Sequence, residues 1–302
     1  MFEVALFSVG FALIVTGAVS LLYPLRWLGI GTRTIAFIVI ATGFLVVAIA
    51  AQLVDSYFVY LGLVLALLGL ISLICPLRFL SIRTRVIGAF VLAFGTLLSM
   101  ASLMFPYSEK QIAPSTTKLD EWMPRWQVGE RHGIEVNAPP EKVFAAIHAV
   151  TADEIFLFRT LIAIRRCGQD GPESILNLPE RKPLLDVATS TTFIYLENGP
   201  REIVVGTVIS APRDATGPQL LTPESFRRKL PPGVVLATMS FLITPREQGG
   251  STLTTETRVY ASNAPALRRF GVYWRIIHPG SDVIRRTWLR AIARRAERTQ
   301  DT

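Results

Sequence analysis

Charge is missing from long stretches of the first third of this chain. Between Glu3 and Arg26 lie 22 uncharged residues, enough for a helix to cross a bilayer. Uncharged runs recur from Thr34 to Val54, from Ser56 to Leu77 and from Val86 to Ser108. Four transmembrane helices are therefore expected over residues 1–108. The start of the chain also lacks a basic n-region and an A-x-A cleavage site, so the first run reads as a retained span and not a signal peptide. Because no ionisable residue interrupts any run, the relay groups that pumps and ion-coupled transporters use are missing. An anchor or an oligomerisation module is the expected role of this half, with the lipid bilayer as its partner.

Cysteine and histidine are equally scarce. Cys75 and Cys167 are the only cysteines, one at the end of an apolar run and one in the polar half, which gives no disulfide framework. His132, His148 and His278 have no metal-ligand spacing between them. G-x-S-x-G, phosphate-loop, C-x-x-C and dinucleotide motifs are all missing. No metal and no cofactor is expected.

What is present begins with a repeat. Pro24-Leu25-Arg26-Trp27-Leu28 aligns with Pro76-Leu77-Arg78-Phe79-Leu80, and Ile30, Thr32, Arg33, Ile35, Ala41 and Gly43 match Ile82, Thr84, Arg85, Ile87, Ala93 and Gly95. Upstream, Gly10, Gly17 and Ser20 match Gly62, Gly69 and Ser72. The unit is a helix–basic loop–helix hairpin used twice, whose small residues let helix backbones approach closely. Its arginine-bearing loops are expected in the cytoplasm. The chain after Ser108 then falls on the extracytoplasmic side.

Residues 109–129 read as a Pro-rich linker, with Pro114 and Pro124 preventing a continuous helix. Trp122 and Trp126 suit either the membrane interface or packing on the following domain. From residue 130 the pattern is strand (130–139), two short helices, a Gly- and Pro-rich segment over 167–186, then four strand-like runs ending in STLTTETRVYA (251–261). A long amphipathic helix closes the chain, with Ser262 or Asn263 as its cap and Pro279-Gly280 expected to kink or interrupt it. Ser281 or Asp282 would restart it. Nine arginines over residues 268–298 concentrate much of the net charge of +8 there. This suits a solvated face or anionic headgroups, and no nucleic-acid partner is expected.

V-N-A-P-P-E-K-V-F, P-R-E-I-V-V-G, T-T-E-T-R-V and the terminal R-R-F-x-x-Y-W-R-I-I-x-P-G-S-x-x-I-R-R make residues 130–302 resemble bacterial members of the START-like, polyketide-cyclase/lipid-transport superfamily (SRPBCC). The resemblance implies an α+β helix-grip fold, a curved antiparallel sheet around the last helix, with an apolar cavity between them. Walls of such a cavity would come from Phe156, Phe158, Phe193, Tyr195, Met239 and Phe241. Phe270, Tyr273, Trp274 and Ile277 would contribute from the helix. Glu256 and Arg258 share a strand face with Tyr260. They form either a buried polar anchor for a ligand head group or a pair on the outer surface, and the face of Leu253, Thr255, Thr257 and Val259 makes the better apolar wall. The superfamily spans carriers, cyclases and binding modules, so one chemistry does not follow. Three functions remain open: a membrane-anchored module binding a hydrophobic small molecule or lipid, a cyclase- or dehydratase-type enzyme with Glu256 as acid or base, and a structural membrane protein with a closed cavity.

Overall fold

The computed structural model describes residues 2–50, 54–77, 80, 82–165, 182–211 and 221–298. Cys167, Arg78, Phe79 and most of the Gly- and Pro-rich segment lie outside the described residues. Packing divides the chain into two units. One holds Met1–Phe105 with Trp274–Pro279, the other Pro106–Tyr273 with Gly280–Thr302.

The first unit contains α1 (Phe2–Leu22), α2 (Arg33–Ala50), α3 (Val54–Ile74) and α4 (Arg85–Met104), packed as α1 on α2 and α3 on α4. Among the described residues, α3 and α4 are long and apolar enough to cross a bilayer, by length and composition. The apolar stretches Ser8–Leu21 and Arg33–Ile49 are shorter. Two membrane-capable helices are thus established where the uncharged runs led to an expectation of four.

The duplication reappears as geometry. A Cβ on Gly10 would sit 2.8 Å from the Gly43 carbonyl oxygen, and one on Gly62 would sit 2.6 Å from that of Gly95. One turn-pair further along, Gly17 would meet the Ala36 carbonyl and Gly69 that of Gly88, each at 2.8 Å. Only residues without a side chain there let the two backbones touch. Ser20 and Ser72 each donate to the carbonyl four residues back at 2.8 Å, and Thr32 and Thr84 each accept a 3.2 Å bond from the amide three residues on. The basic loops close alike, through Ile30 N–H to Leu25 C=O and Ile82 N–H to Leu77 C=O. Within the same unit, Arg275 donates to the carbonyls of Leu103 and Phe105 (3.1 and 2.6 Å), placing a cation at the C-terminal end of α4. His278 Nδ1 lies 2.9 Å from Asp55 Oδ1.

The second unit is α+β. Its five-stranded antiparallel sheet has the order β3 (Val128–Val136), β7 (Ser251–Ala261), β6 (Val235–Pro245), β5 (Glu202–Ser210), β4 (Ile194–Asn198). These strands match the alternating runs of the sequence, and Gly249 and Gly250, at φ 87° and 79°, make the β6–β7 turn. Helices α6 (Pro140–Ala149), α7 (Phe158–Arg165) and α8 (Leu184–Thr191) follow β3, and α9 (Ala264–Arg298) ends the chain.

Strand residues alternate between faces. One face carries Val136, Leu253, Ile243, Phe241, Met239, Ile203 and Val205, and it is covered by α6, α8 and the last turns of α9 through Trp288, Leu289 and Ile292. This is the main core. The opposite face packs Val204, Leu236 and Leu196 against Leu119, Met123 and Phe226.

Two expectations change. α9 runs unbroken through Pro279, because packing on both sides of that residue outweighs the roughly 3 kcal/mol that an internal proline costs. Asn263 caps α9 through the Ala266 amide (3.0 Å), but Ser281 and Asp282 start no helix and turn their side chains to other partners. The stretch read as a linker is folded: it forms the ribbon β1 (Lys110–Gln111) with β2 (Arg125–Trp126) and the short α5 (Lys118–Trp122).

Candidate functional site

Glu130 and His132 alternate on β3, so both face the side covered by α9. Their register partners on β7 are Thr257 and Thr255, which continue across the sheet to Met239 and Phe241 on β6. Above them, α9 presents Ser281, Asp282, Arg285 and Trp288, a spacing that keeps these residues near one helix face. The Ser281 hydroxyl donates to Glu130 Oε1 at 2.6 Å, and Arg285 Nε lies 3.4 Å from the same oxygen. Arg286 Nε binds both Asp282 oxygens at 2.9 and 3.0 Å. His132 Nε2 sits between the two carboxylates, 3.7 Å from Glu130 and 3.6 Å from Asp282. Arg285 also contacts Met239 Sδ.

Most of this patch is held in a dry place, with Ser281 and Arg285 partly exposed at its edge. Glu130, His132, Thr255, Thr257, Asp282 and Trp288 are all buried. Yet Thr255 Oγ1, Thr257 Oγ1, His132 Nε2 and Trp288 Nε1 form no hydrogen bond within the protein, and nor does Glu130 Oε2, although Glu130 is bonded through its other oxygen. Leaving a buried polar group unsatisfied costs about 1–3 kcal/mol each, so this cluster of donors around a carboxylate oxygen is a costly one to bury. Apolar neighbours complete the surroundings: Trp288 meets Phe241 edge-on, with ring centroids 5.1 Å apart.

The opposite face holds a different construction. Arg258 donates to Asp120 Oδ1 (2.7 Å), the Met123 carbonyl (3.0 Å) and Glu256 Oε1 (2.6 Å), and its guanidinium stacks 4.0 Å above the Trp126 ring. Asp120 is in turn the N3 residue of a capping box with Thr117. Glu202 accepts from the amides of Lys118 and Leu119 (2.7 and 3.0 Å) at the start of α5. Burial raises the Glu202 carboxyl above its usual range, those amide bonds opposing it only in part. Burial also acts to raise Asp120, but bonds from Thr116 and Arg258 outweigh it and hold that carboxyl at about 2. Trp122 lies under Arg227, 3.9 Å from its ring centroid. Both tryptophans therefore pack on the domain.

The twelve sequence-derived candidates do not gather in one place. Phe158, Phe193, Tyr195, Met239 and Phe241 belong to the core beneath α9. Glu256 and Arg258 are on the reverse face, clamped to the 116–126 strap, so neither faces anything lying under α9. Phe156 is 67 % exposed. Phe270 and Tyr273 pair with each other at 5.8 Å, whereas Trp274, stacked on His278, and Ile277 belong to the first unit. The patch that does converge, Glu130, His132, Asp282, Arg285 and Trp288, contains none of these candidates and meets two of them, Met239 through Arg285 and Phe241 through Trp288. The two-residue spacing of Glu130 and His132, in phase with the apolar Ile134 and Val136, was the available signal.

No family model, no curated protein and no solved structure matches this chain. Among the described residues, no group of three or more His, Cys, Asp or Glu is arranged to hold a metal ion.

Proposed function

We propose that this protein is a membrane-anchored, START-like module that binds a hydrophobic ligand, a lipid among the candidates, between α9 and the inner face of its sheet. One observation carries the reading: buried, unpartnered hydroxyl, imidazole and indole groups on a face otherwise walled by Met239, Phe241 and Trp288. An amphiphile matches that surface, with its polar group on the patch and its body against the apolar wall. In this reading all four helices of the first unit cross the membrane as two like hairpins. The loops bearing Arg26, Arg33, Arg83 and Arg85 lie in the cytoplasm, and the second unit lies outside it.

Native mass spectrometry of the full chain, released from mild detergent, tests the binding. A copurifying amphiphile of defined mass is expected at up to one per chain. Protein that is empty from every membrane source and detergent would refute the reading and leave a structural anchor. A second reading, a cyclase- or dehydratase-type enzyme, is favoured by the position of His132 between two buried carboxylates, a setting suited to moving a proton. It requires turnover, and a copurifying ligand recovered chemically unchanged after incubation counts against it.

A further inference from the structure

We infer that the outward face of α7 is a docking surface for an anionic lipid bilayer, on which the second unit rests through Phe156, Leu157, Leu161 and Ile164 with arginines of α9 beside them. The inference rests on the membrane anchoring proposed above and is independent of any bound ligand. α7 is apolar on two sides. Phe158 and Ile162, four residues apart, are 3 % and 8 % exposed and belong to the main core. Leu157, Leu161 and Ile164 form a second stripe, at i, i+4 and i+7. That stripe is uncovered: Leu157 is 43 % exposed and Ile164 67 %, as is Phe156 just before them. Leu157 is kept there at φ 59°, in left-handed backbone that a bulky side chain rarely adopts. A helix with water on one side carries polar residues there. A second apolar face marks a surface that meets something else.

Its neighbours on α9 decide what that is. The Thr287 hydroxyl donates to the Phe156 carbonyl at 3.3 Å and Arg294 to the Glu154 carbonyl at 3.0 Å, so the 154–157 turn lies against the last third of α9. Arg290 and Arg294, three and seven residues beyond Thr287, are exposed on that side, and among the described residues neither pairs with a carboxylate. Further back, a Cβ on Gly280 would sit 3.9 Å from Leu161 Cδ2. Gly280 directly follows Trp274–Pro279, the stretch of α9 that groups with the membrane-capable helices. Apolar side chains flanked by arginines match the acyl boundary and the phosphate layer of a bilayer. A protein partner would have to bring both an apolar surface and carboxylates. An anionic membrane offers both chemistries, and the chain's own helices tether it there.

The test places the full chain in nanodiscs of phosphatidylcholine, alone or mixed with phosphatidylglycerol. In a Cys75→Ser, Cys167→Ser background, an environment-sensitive nitrobenzoxadiazole dye is attached through Phe156→Cys or Ile164→Cys. Glu247→Cys, exposed between β6 and β7, is the reference position. Dye at positions 156 and 164 should emit at shorter wavelength and be quenched by spin-labelled lipid, more strongly with phosphatidylglycerol present. Dye at position 247 should do neither. Arg290→Gln should lower the docked-to-free ratio about fivefold in the anionic discs. Ile164→Asp, on an exposed position and checked for fold by circular dichroism, should return dye at position 156 to water. Dye that stays aqueous at 156 and 164 in both discs overturns the docking and leaves the anchor and the ligand-binding reading standing. Dye shielded from water but untouched by the lipid quencher does the same, and shows that another protein surface or a second copy covers the face. A chain that does not enter nanodiscs overturns docking and anchoring together.

Discussion

Replacing Arg258 by Ala is expected to lower the unfolding free energy of the second unit by about 3–5 kcal/mol, the usual cost of deleting one partner of a buried ion pair. Arg258 and Asp120 are 3 % and 1 % exposed. Truncation leaves the Asp120 carboxylate under the strap without its cation, removes the donor to the Met123 carbonyl, and takes away the ring contact with Trp126. Urea unfolding of the full chain in detergent, followed through tryptophan fluorescence, measures the loss. A change below about 1 kcal/mol would mean that the strap is not clamped to the sheet. The same ion pair sets an acid dependence. Asp120 is held at about 2 against an ordinary 3.8, so its contribution is complete above pH ~4 and disappears as pH falls towards 2. That is roughly 2 kcal/mol. Glu202, with its carboxyl raised, works the other way, adding stability as pH falls through its folded value. In Arg258→Ala the Asp120 component should shrink, leaving a flatter acid limb.

Gly95→Leu should disrupt the α3–α4 hairpin. A Cβ at this position would lie 2.6 Å from the Gly62 carbonyl oxygen and 2.9 Å from the Leu65 carbonyl carbon. Backbone cannot move aside as a flexible side chain does, so the helices must separate along their length and lose their packing. We expect a drop of 10 °C or more in the detergent Tm, an order-of-magnitude figure from overpacking costs of about 1–3 kcal/mol and upward. Gly43→Leu should reproduce the effect in the first hairpin, where the Cβ would meet the Gly10 carbonyl at 2.7 Å. Leu97→Phe, on a 68 % exposed position of the same helix, should change Tm little. An unaltered Tm in Gly95→Leu would show that the hairpin does not pack through its glycines.

Much of this architecture was legible because it depends on local periodicity. The strands followed from alternation, and the paired glycines followed from self-similarity at a spacing of 52 residues. The failures involve contacts distant in sequence. Proline density between 109 and 129 reads as extended chain, because nothing local reveals that Asp120 will meet Arg258, 138 residues away. Pro279 reads as a break because the tertiary packing that carries α9 through it is invisible in a helical window. Glu256 stood out as a strand carboxylate, but which face of β7 turns inward depends on its register with β3 and β6. That same register brings Glu130 and His132 beneath Asp282 and Arg285, drawing on residues about 150 positions apart.

Whether α9 and the sheet hold a guest between them can be seen directly, in high-resolution density of the full chain purified from membranes. An elongated feature should run along Met239 and Phe241 and end within hydrogen-bonding distance of Trp288 Nε1 and the Thr255 or Thr257 hydroxyl. Side chains closing over those atoms, or isolated water alone, would contradict a bound amphiphile.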